Sequence, residues 1–409
     1  MPDIKRKIIN DPVFGFITIP NDFLYNIIKH PFLQRLNRIR QMGLAAFVYP
    51  GAQHTRLHHS IGAMYLMNEA LTSLKAKGHE ITKDEYNGAL ACILLHDSGH
   101  GPFSHALENI LVRDIRHEDI SLLMMRQLNE ELNGALDTCI SIFRNTHKKK
   151  FLHQLVSGQL DVDRLDYLRR DSFYSGVTEG NIGSDRIIKM LDIRDDKLVV
   201  ESKGIYSVEN FLLSRRLMYW QVYLHKTAVA AEKMIIKTLL RAKELVSQKR
   251  ELFASPAFMY FLENEISLDD FHKKGNKALE HFVNLDDNDI WCSLKVWSNH
   301  DDKVLSLLSK SIVERNLFKI EVSATPKTDE EIQIQLNKYI DKYGIPEHEA
   351  RYLISYDVIS SNMYNQADDS IDILYNDGTI KNISEASDML NIELLSKKVE
   401  KYYFSFYRI

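Results

Sequence analysis

The chain has 409 residues, is 44% hydrophobic and 26% charged, and carries a net charge of -4. That is the balance of a globular enzyme with one large domain and an appendage, or with two domains. It excludes a global positive field that would recruit nucleic acid. Three cysteines, Cys92, Cys139 and Cys292, lie far apart and are odd in number, which argues against a disulfide framework and for a reducing compartment. No apolar run approaches the ~20 residues that span a bilayer. The basic cluster within Met1–Asn10 lacks the apolar run of a secretory leader. A cytoplasmic location is expected, with neither a membrane nor a nucleic acid as partner.

Lys7 to Pro12 and Gly15 to Pro20 read as a small hairpin or extended lead-in. Asn21 or Asp22 then caps a helix whose apolar stripe, Phe23, Leu24, Ile27 and Ile28, restarts at Pro31 and runs to Ile39. Leu44 to Thr55 is a loop. Arg56 to Lys77 is a helix stopped by Gly78. Thr82-x-x-Glu85 is a capping box that opens the next helix, ending at His96-Asp97. Ser104 suits the cap of a short helix through Leu111, and helical patterns follow at His117 to Leu132, Leu136 to Arg144 and Leu160 to Arg170. Asp192 to Glu201 predicts a hairpin turning at Asp195-Asp196. Ser207 to Gln248, free of Gly and Pro, predicts one very long buried helix.

Composition shifts near Phe253 to Pro256. Beyond it, Phe318 to Val322 alternates, Ile371 to Tyr375 and Thr379 to Ile383 flank Asn376-Asp377-Gly378 as a hairpin, and Tyr403 to Phe406 adds a strand. The expected fold is mainly α: an all-helical catalytic domain, 1–268, followed by a smaller α+β C-terminal region, 269–409.

The chemistry concentrates where the apolar run Ala89 to Leu95 delivers adjacent His96 and Asp97, then Gly99-His100-Gly101-Pro102-Phe103-Ser104-His105. Buried His and Asp need a metal, a charge partner or hydrogen bonds. A cation would serve both at once. His105 and Glu108 stand at i and i+3, so the carboxylate can orient the imidazole for proton transfer. His100 sits in a glycine-flanked turn from which it can reach a phosphate. Asp163, Tyr167 and Arg170 are spaced for one helix face, and Arg215, Tyr219, Tyr223 and Lys226 for another. Both stripes mix rings and cations, as the wall of a ligand pocket does.

His96-Asp97, Gly99-His100 and Pro102-Phe103-Ser104-His105 resemble the signature of the HD-domain phosphohydrolases, most of all the deoxynucleoside triphosphate triphosphohydrolase branch. The resemblance covers about Asp11 to Leu240. It implies His59, in Arg56-Leu57-His58-His59-Ser60, as a further metal ligand, with His58 the competing choice. It implies Asp163, in Leu160-Asp161-Val162-Asp163-Arg164-Leu165-Asp166-Tyr167, as the fourth ligand, with Asp161 competing. The set His59, His96, Asp97 and Asp163 suits one divalent ion per site, Mn, Fe, Mg or Ni, with Zn also compatible. His117 matches a further active-site histidine. Arg56, Arg164 and Arg215 fall at phosphate-contacting positions. Tyr167 and Tyr223 would border the sugar, Asp171 would take the 3′-hydroxyl, and Gln41-Met42 would close the sugar pocket where the family commonly has Gln-Leu. The implied reaction is hydrolysis of a dNTP, dGTP-like, to deoxynucleoside and tripolyphosphate. A homo-oligomer and an allosteric nucleotide are further expectations of the resemblance.

Overall fold

Local signals start most of the helices. The computed structural model describes residues 7–103, 108–273, 275, 277–361, 370–389 and 399–409. Strands β1 (Ile8–Asp11) and β2 (Gly15–Thr18) form the expected antiparallel hairpin. Helix α1 (Asp22–Lys29) is capped by Asn21, whose side chain accepts from the Leu24 N–H, and Pro31 opens α2 (Pro31–Gln34). A 3₁₀ turn, Gly43–Phe47, overlaps the start of the expected loop. Helix α3 (Arg56–Ala76) follows. Helix α4 (Lys83–Leu95) opens on the Thr82–Glu85 capping box and delivers His96-Asp97 at its end, as its sequence requires.

The chain continues through α5 (Glu108–Leu111), α6 (His117–Glu131), α7 (Asp137–Phe143), α8 (Lys150–Val156), α9 (Val162–Ser175) and α10 (Ser184–Met190). The hairpin of β3 (Leu191–Arg194) and β4 (Lys197–Glu201) turns at Asp195-Asp196, both at positive φ. Helices α4 and α9 pack against α3 and α7 covers α4, which places the end of α4 and the start of α9 beside the start of α3.

The long helix expected over Ser207 to Gln248 is two helices. Helix α11 (Ile205–Met218) runs into a π-helical turn, Tyr219–Tyr223, and the chain restarts as α12 (Lys226–Ser247). No Gly or Pro marks the break; tertiary contacts hold it. Tyr49 Oη donates to the Gln221 carbonyl at 2.9 Å, and Lys401 lies 3.9 Å over the Trp220 ring. His225, in extended conformation, caps α12 by accepting from the Thr227 N–H at 3.2 Å. Lys226 therefore leaves the face of Arg215 and Tyr223 and opens a new helix.

Helices α13 (Pro256–Glu263), α14 (Leu268–His272), α15 (Lys277–Val283), α16 (Asp287–Trp297) and α17 (Lys303–Val313) precede β5 (Lys319–Ser323). Then come α18 (Asp329–Tyr343), α19 (Glu347–Ala350), β6 (Ile354–Ser361), β7 (Asp372–Leu374), β8 (Ile380–Asn382), α20 (Ile383–Ala386) and β9 (Val399–Phe406). Strand β9 lies between β5 and β6, antiparallel to both. The expected hairpin β7–β8 joins β3–β4 through a parallel pairing of β4 with β7. The fold is mainly α, with the strands outside the helical HD core. The buried apolar residues on both sides of position 268 form one cluster, from Ile17 to Tyr407. A division at 268/269 is thus proposed as one of sequence organisation, with a shared core.

Among the described residues, no helix is long and apolar enough to cross a membrane.

Candidate metal centre and nucleotide pocket

The candidate ligands come from three helix ends. His59 stands on the first turn of α3, His96 and Asp97 follow α4, and Asp163 stands on the first turn of α9. Ligand atoms of His59, His96 and Asp163 lie within 4.8 Å of one another. The His59 Nε2 is 3.0 Å and the His96 Nε2 3.5 Å from Asp163 Oδ1. Asp97 sits between this group and a second one, Asp97 with His100 and His117, of the same compactness. Its Oδ1 is 3.3 Å from His96 Nε2 and 3.4 Å from His100 Nε2, and its Oδ2 is 3.8 Å from His59 Nε2.

Both competing ligands are occupied elsewhere. His58 Nδ1 is 2.9 Å from the Thr55 hydroxyl in the cap of α3. Asp161 caps α9, accepting from the Arg164 N–H at 2.7 Å and the Gly158 N–H at 2.9 Å.

The Nε2 atoms of His59 and His96 are buried and make no hydrogen bond. Their Nδ1 atoms are engaged, His59 with Asp166 Oδ2 at 2.7 Å and His96 with the Ile93 carbonyl at 2.7 Å. A hydrogen-bonded Nδ1–H leaves Nε2 as the ligating lone pair. Burial works against a charged His59, but Asp163 and Asp166 outweigh it and raise its pKa to about 10. Burial likewise opposes a charged His96, and Asp97 and Asp163 still push its pKa up. Protons so held mark the place of positive charge. Two imidazoles and two carboxylates around that place fit a hard or borderline divalent cation.

The layer behind the ligands is built of buried ion pairs. Arg170, fully buried, donates to both Asp166 oxygens and to Asp11 Oδ2 at 2.7 Å. It does not line the face of Asp163 and Tyr167, as its spacing suggested. It steadies Asp166, which steadies His59. Gly62 of α3 makes room for this pair: a Cβ there would meet Arg170 Nη2 at 2.0 Å and Asp166 Oδ1 at 2.1 Å. Arg56 Nη1 donates to Asp97 Oδ2 at 2.5 Å. His96, His100 and Arg56 hold the Asp97 carboxyl well below the usual range, against its burial. Ser121 donates to the His96 carbonyl at 2.7 Å and accepts from the Gly99 N–H at 2.9 Å, pinning the turn to α6. A Cβ on Gly99 would meet the His117 carbonyl oxygen at 2.0 Å.

His100 and His117 stack, ring centroids 3.8 Å apart. Burial and the Arg56 charge push the His100 pKa well down. His105 lies outside the described residues, as does the side chain of Glu108.

A second set lies toward the π turn. Tyr167 and Tyr223 meet edge to face, centroids 6.3 Å apart. Tyr223 Oη donates to Asp171 Oδ2 at 2.8 Å, and His54 Nε2 is 2.8 Å from Asp171 Oδ1. Burial pushes the Tyr167 phenol up to about 12 and raises Tyr223 well above its ordinary value. Both stay protonated, as donors. Tyr219 packs instead against Trp220, centroids 5.8 Å apart. Met42 is buried, and the buried Gln41 amide oxygen makes no hydrogen bond. Arg164 Nη1 donates to Asp161 Oδ2 at 2.6 Å, and Arg215 Nη1 to Gln159 Oε1 at 3.1 Å.

Sequence reasoning gave Asp166 and His54 no role. The i, i+4 spacing of Asp166 and Arg170 was a usable signal for a helical ion pair. Nothing local marks the pairing of His54 with Asp171, 117 residues away.

Comparison with known proteins agrees with this geometry. The HD domain family matches residues 56–171, and the HD associated region family matches residues 182–255. A phosphohydrolase from Bacteroides thetaiotaomicron, known from its crystal structure, is 63% identical, with a TM-score of 0.96 over 99% of this chain and 100% of its own. The uncharacterized protein YwfO of Bacillus subtilis is 30% identical over 96% of this chain and 90% of its own length. The deoxynucleoside triphosphate triphosphohydrolase SAMHD1 homolog of Dictyostelium discoideum is 31% identical, the match covering 61% of this chain and 52% of that protein. With a near-complete relative at 63% identity, ligand clusters at three helix ends and an HD match across all of them, the chain belongs to the HD-domain phosphohydrolases.

Proposed function

We propose that the protein is a metal-dependent dNTP triphosphohydrolase that converts a dNTP, dGTP-like, to deoxynucleoside and tripolyphosphate. The observation that carries this reading is the adjacency of two sites. The His59, His96 and Asp163 cluster lies beside a group of side chains in which the Tyr167 ring stands 6.5 Å from that of His59 and meets Tyr223, itself bonded to Asp171. His59, His96, Asp97 and Asp163 would hold the divalent ion, which, when bound, neutralises phosphate charge and lowers the pKa of water.

The chain's own groups account for the rest. Arg56, Arg164 and Arg215 face the polyphosphate charge that develops in the transition state. Water adds its oxygen to the α-phosphorus and the bond to the 5′-oxygen breaks. One proton leaves the water and one reaches the 5′-oxygen. His105, oriented by Glu108, carries the proton transfer, with His117 and His100 assisting. Asp171 takes the 3′-hydroxyl. Gln41, Met42 and the two tyrosine rings bound the sugar, with Tyr219 beyond them. An unpartnered 2′-hydroxyl against that wall costs about 1–3 kcal/mol, or roughly tenfold to hundredfold in discrimination.

Matched dGTP and GTP reactions test the reading. It expects deoxyguanosine and tripolyphosphate, with GTP turned over poorly. Equal turnover would refute the sugar pocket. Orthophosphate as the sole phosphate product would point to another HD nucleotide hydrolase. Bound metal and nucleotide without turnover would point to a non-catalytic nucleotide sensor.

We also propose the cytoplasm as the location, a homo-oligomer as the assembly and a second, allosteric nucleotide site. The last is supported by a cavity of about 310 Å³ at the start of α12, lined by Lys226, Arg315, Lys319 and Arg408 with no carboxylate among its described lining residues. These cations, of which Lys319 is shared with Glu321 at 3.5 Å, stand beside a helix N-terminus and favour a polyphosphate. Lys319→Ala combined with Arg408→Ala should weaken nucleotide binding at this site; unchanged nucleotide stoichiometry and affinity would refute it.

A further inference from the structure

The turn after the HD pair, residues 98–103, is held from outside the helices that supply the ligands. Arg35, fully buried, has no carboxylate among the acceptors it donates to. Its guanidinium instead serves four backbone carbonyls. Nη1 donates to Ser98 O at 3.0 Å and His100 O at 2.7 Å. Nη2 donates to Phe282 O and Leu285 O, both at 3.1 Å. Two acceptors belong to the turn and two to the end of α15 and the loop after it. The Phe282 ring lies 4.8 Å from the guanidinium carbon.

Asp287, at the start of α16, completes the arrangement from the other side. Its Oδ1 accepts from the Phe103 N–H at 2.9 Å and its Oδ2 from the Arg40 N–H at 3.0 Å. Phe103 sits at φ 53, a conformation that a non-glycine residue keeps only when its surroundings hold it. Arg40 adjoins Gln41 and Met42 in sequence. One carboxylate therefore ties the far end of the catalytic turn to the segment that closes the sugar pocket.

A fully buried cation is a costly way to hold a loop. Arginine suits the task because its planar fork reaches several carbonyls at once, which lysine cannot do. We infer that Arg35 and Asp287 are positioning residues for catalysis, clamping the turn 98–103 between the first helices and the segment 282–287 so that His100, stacked on His117, keeps its place beside Asp97. The inference rests on the proposed phosphohydrolase site in assigning those histidines their work; the clamp itself rests on the hydrogen bonds.

The test uses full-length Arg35→Lys and Asp287→Asn, with Arg241→Lys as control. Arg241 is a second buried arginine, tied to Asp302 and Glu349 away from the turn. The inference expects kcat to fall at least tenfold in Arg35→Lys and Asp287→Asn, with bound-metal stoichiometry within twofold of the parent in both and KM within twofold in Arg35→Lys. In Arg241→Lys, kcat should follow the folded fraction alone. Amide hydrogen exchange at Gly99, Gly101 and Phe103 should accelerate at least tenfold in Arg35→Lys and Asp287→Asn and not in Arg241→Lys. Should Arg35→Lys fail to fold, Asp287→Asn decides, since it alters two hydrogen bonds at one carboxyl. Unchanged exchange in Asp287→Asn would overturn the clamp, and so would a kcat loss no larger than that in Arg241→Lys. A parent protein that hydrolyses no nucleotide would sink the functional reading, and the exchange measurement would still decide whether the clamp exists.

Discussion

The two walls of the site are built in different ways. The proposed metal wall stands on regular helices, α3, α4 and α9, and three of its four candidate ligands have a buried partner behind them: Asp166 behind His59, Arg56 behind Asp97, the Ile93 carbonyl behind His96. The proposed sugar wall stands partly on the π turn Tyr219–Tyr223, where the helical phase is lost, and on a hydrogen bond from Tyr223 to Asp171. Ligands must converge within a few tenths of an ångström, so the metal wall is over-determined by ion pairs. A pocket wall that sorts sugars needs shape and one or two directed donors. π turns recur at functional sites, and here one carries Tyr223 at the point where α11 gives way to α12.

The largest break in this contrast should come from the ligands. His59→Ala or Asp97→Ala should strip the bound metal and abolish hydrolysis in a folded chain, read by metal analysis with circular dichroism. Full occupancy in His59→Ala would return the ligand assignment to His58. Next, His105→Ala should keep metal and nucleotide but lose roughly 10²–10⁴ in rate, with a smaller loss in Glu108→Gln. Near-normal turnover would move the proton-transfer role to His117 or His100.

The layer behind the ligands should respond less. Asp166→Asn removes the carboxylate that orients His59, and metal affinity should fall about 10–100-fold, measured by chelator competition. A variant that binds metal as tightly as the parent would show that the α3–α9 packing alone orients His59. The smallest effects belong to the sugar wall. Tyr223→Phe and Met42→Ala should each lower the dGTP over GTP preference about threefold to tenfold, within the range a single lost contact supplies, with the metal retained. If Met42→Ala instead abolishes activity, Met42 is a core residue and the contrast between the walls is wrong at that point.

Much of the fold could be read before the structure. The Thr82–Glu85 capping box, the Asn21 cap, the Asp195-Asp196 turn and the β7–β8 hairpin each depend on residues within a few positions of one another, and each formed. The break between α11 and α12 could not be read. Ser207 to Gln248 holds no residue that ends a helix, and the contacts that hold the π turn come from Tyr49 and Lys401. Arg170 shows the same limit at one residue. Its spacing was right for the face of Asp163 and Tyr167, yet its charge is satisfied by Asp166 and Asp11.

By itself the amino-acid sequence determined the helix starts, the mainly α class, and the placement of His96-Asp97 where an apolar helix ends on groups that need a metal, a charge partner or hydrogen bonds. The tertiary structure decided which groups stand behind the candidate ligands and what holds the turn 98–103. His59 meets Asp166 across 107 residues, and Arg35 meets Leu285 across 250. Caps and turns are short-range competitions for backbone hydrogen bonds, so local sequence settles them. A buried ion pair or a shared carbonyl is chosen by whatever the packed chain brings within about 3 Å, and no local pattern records that choice.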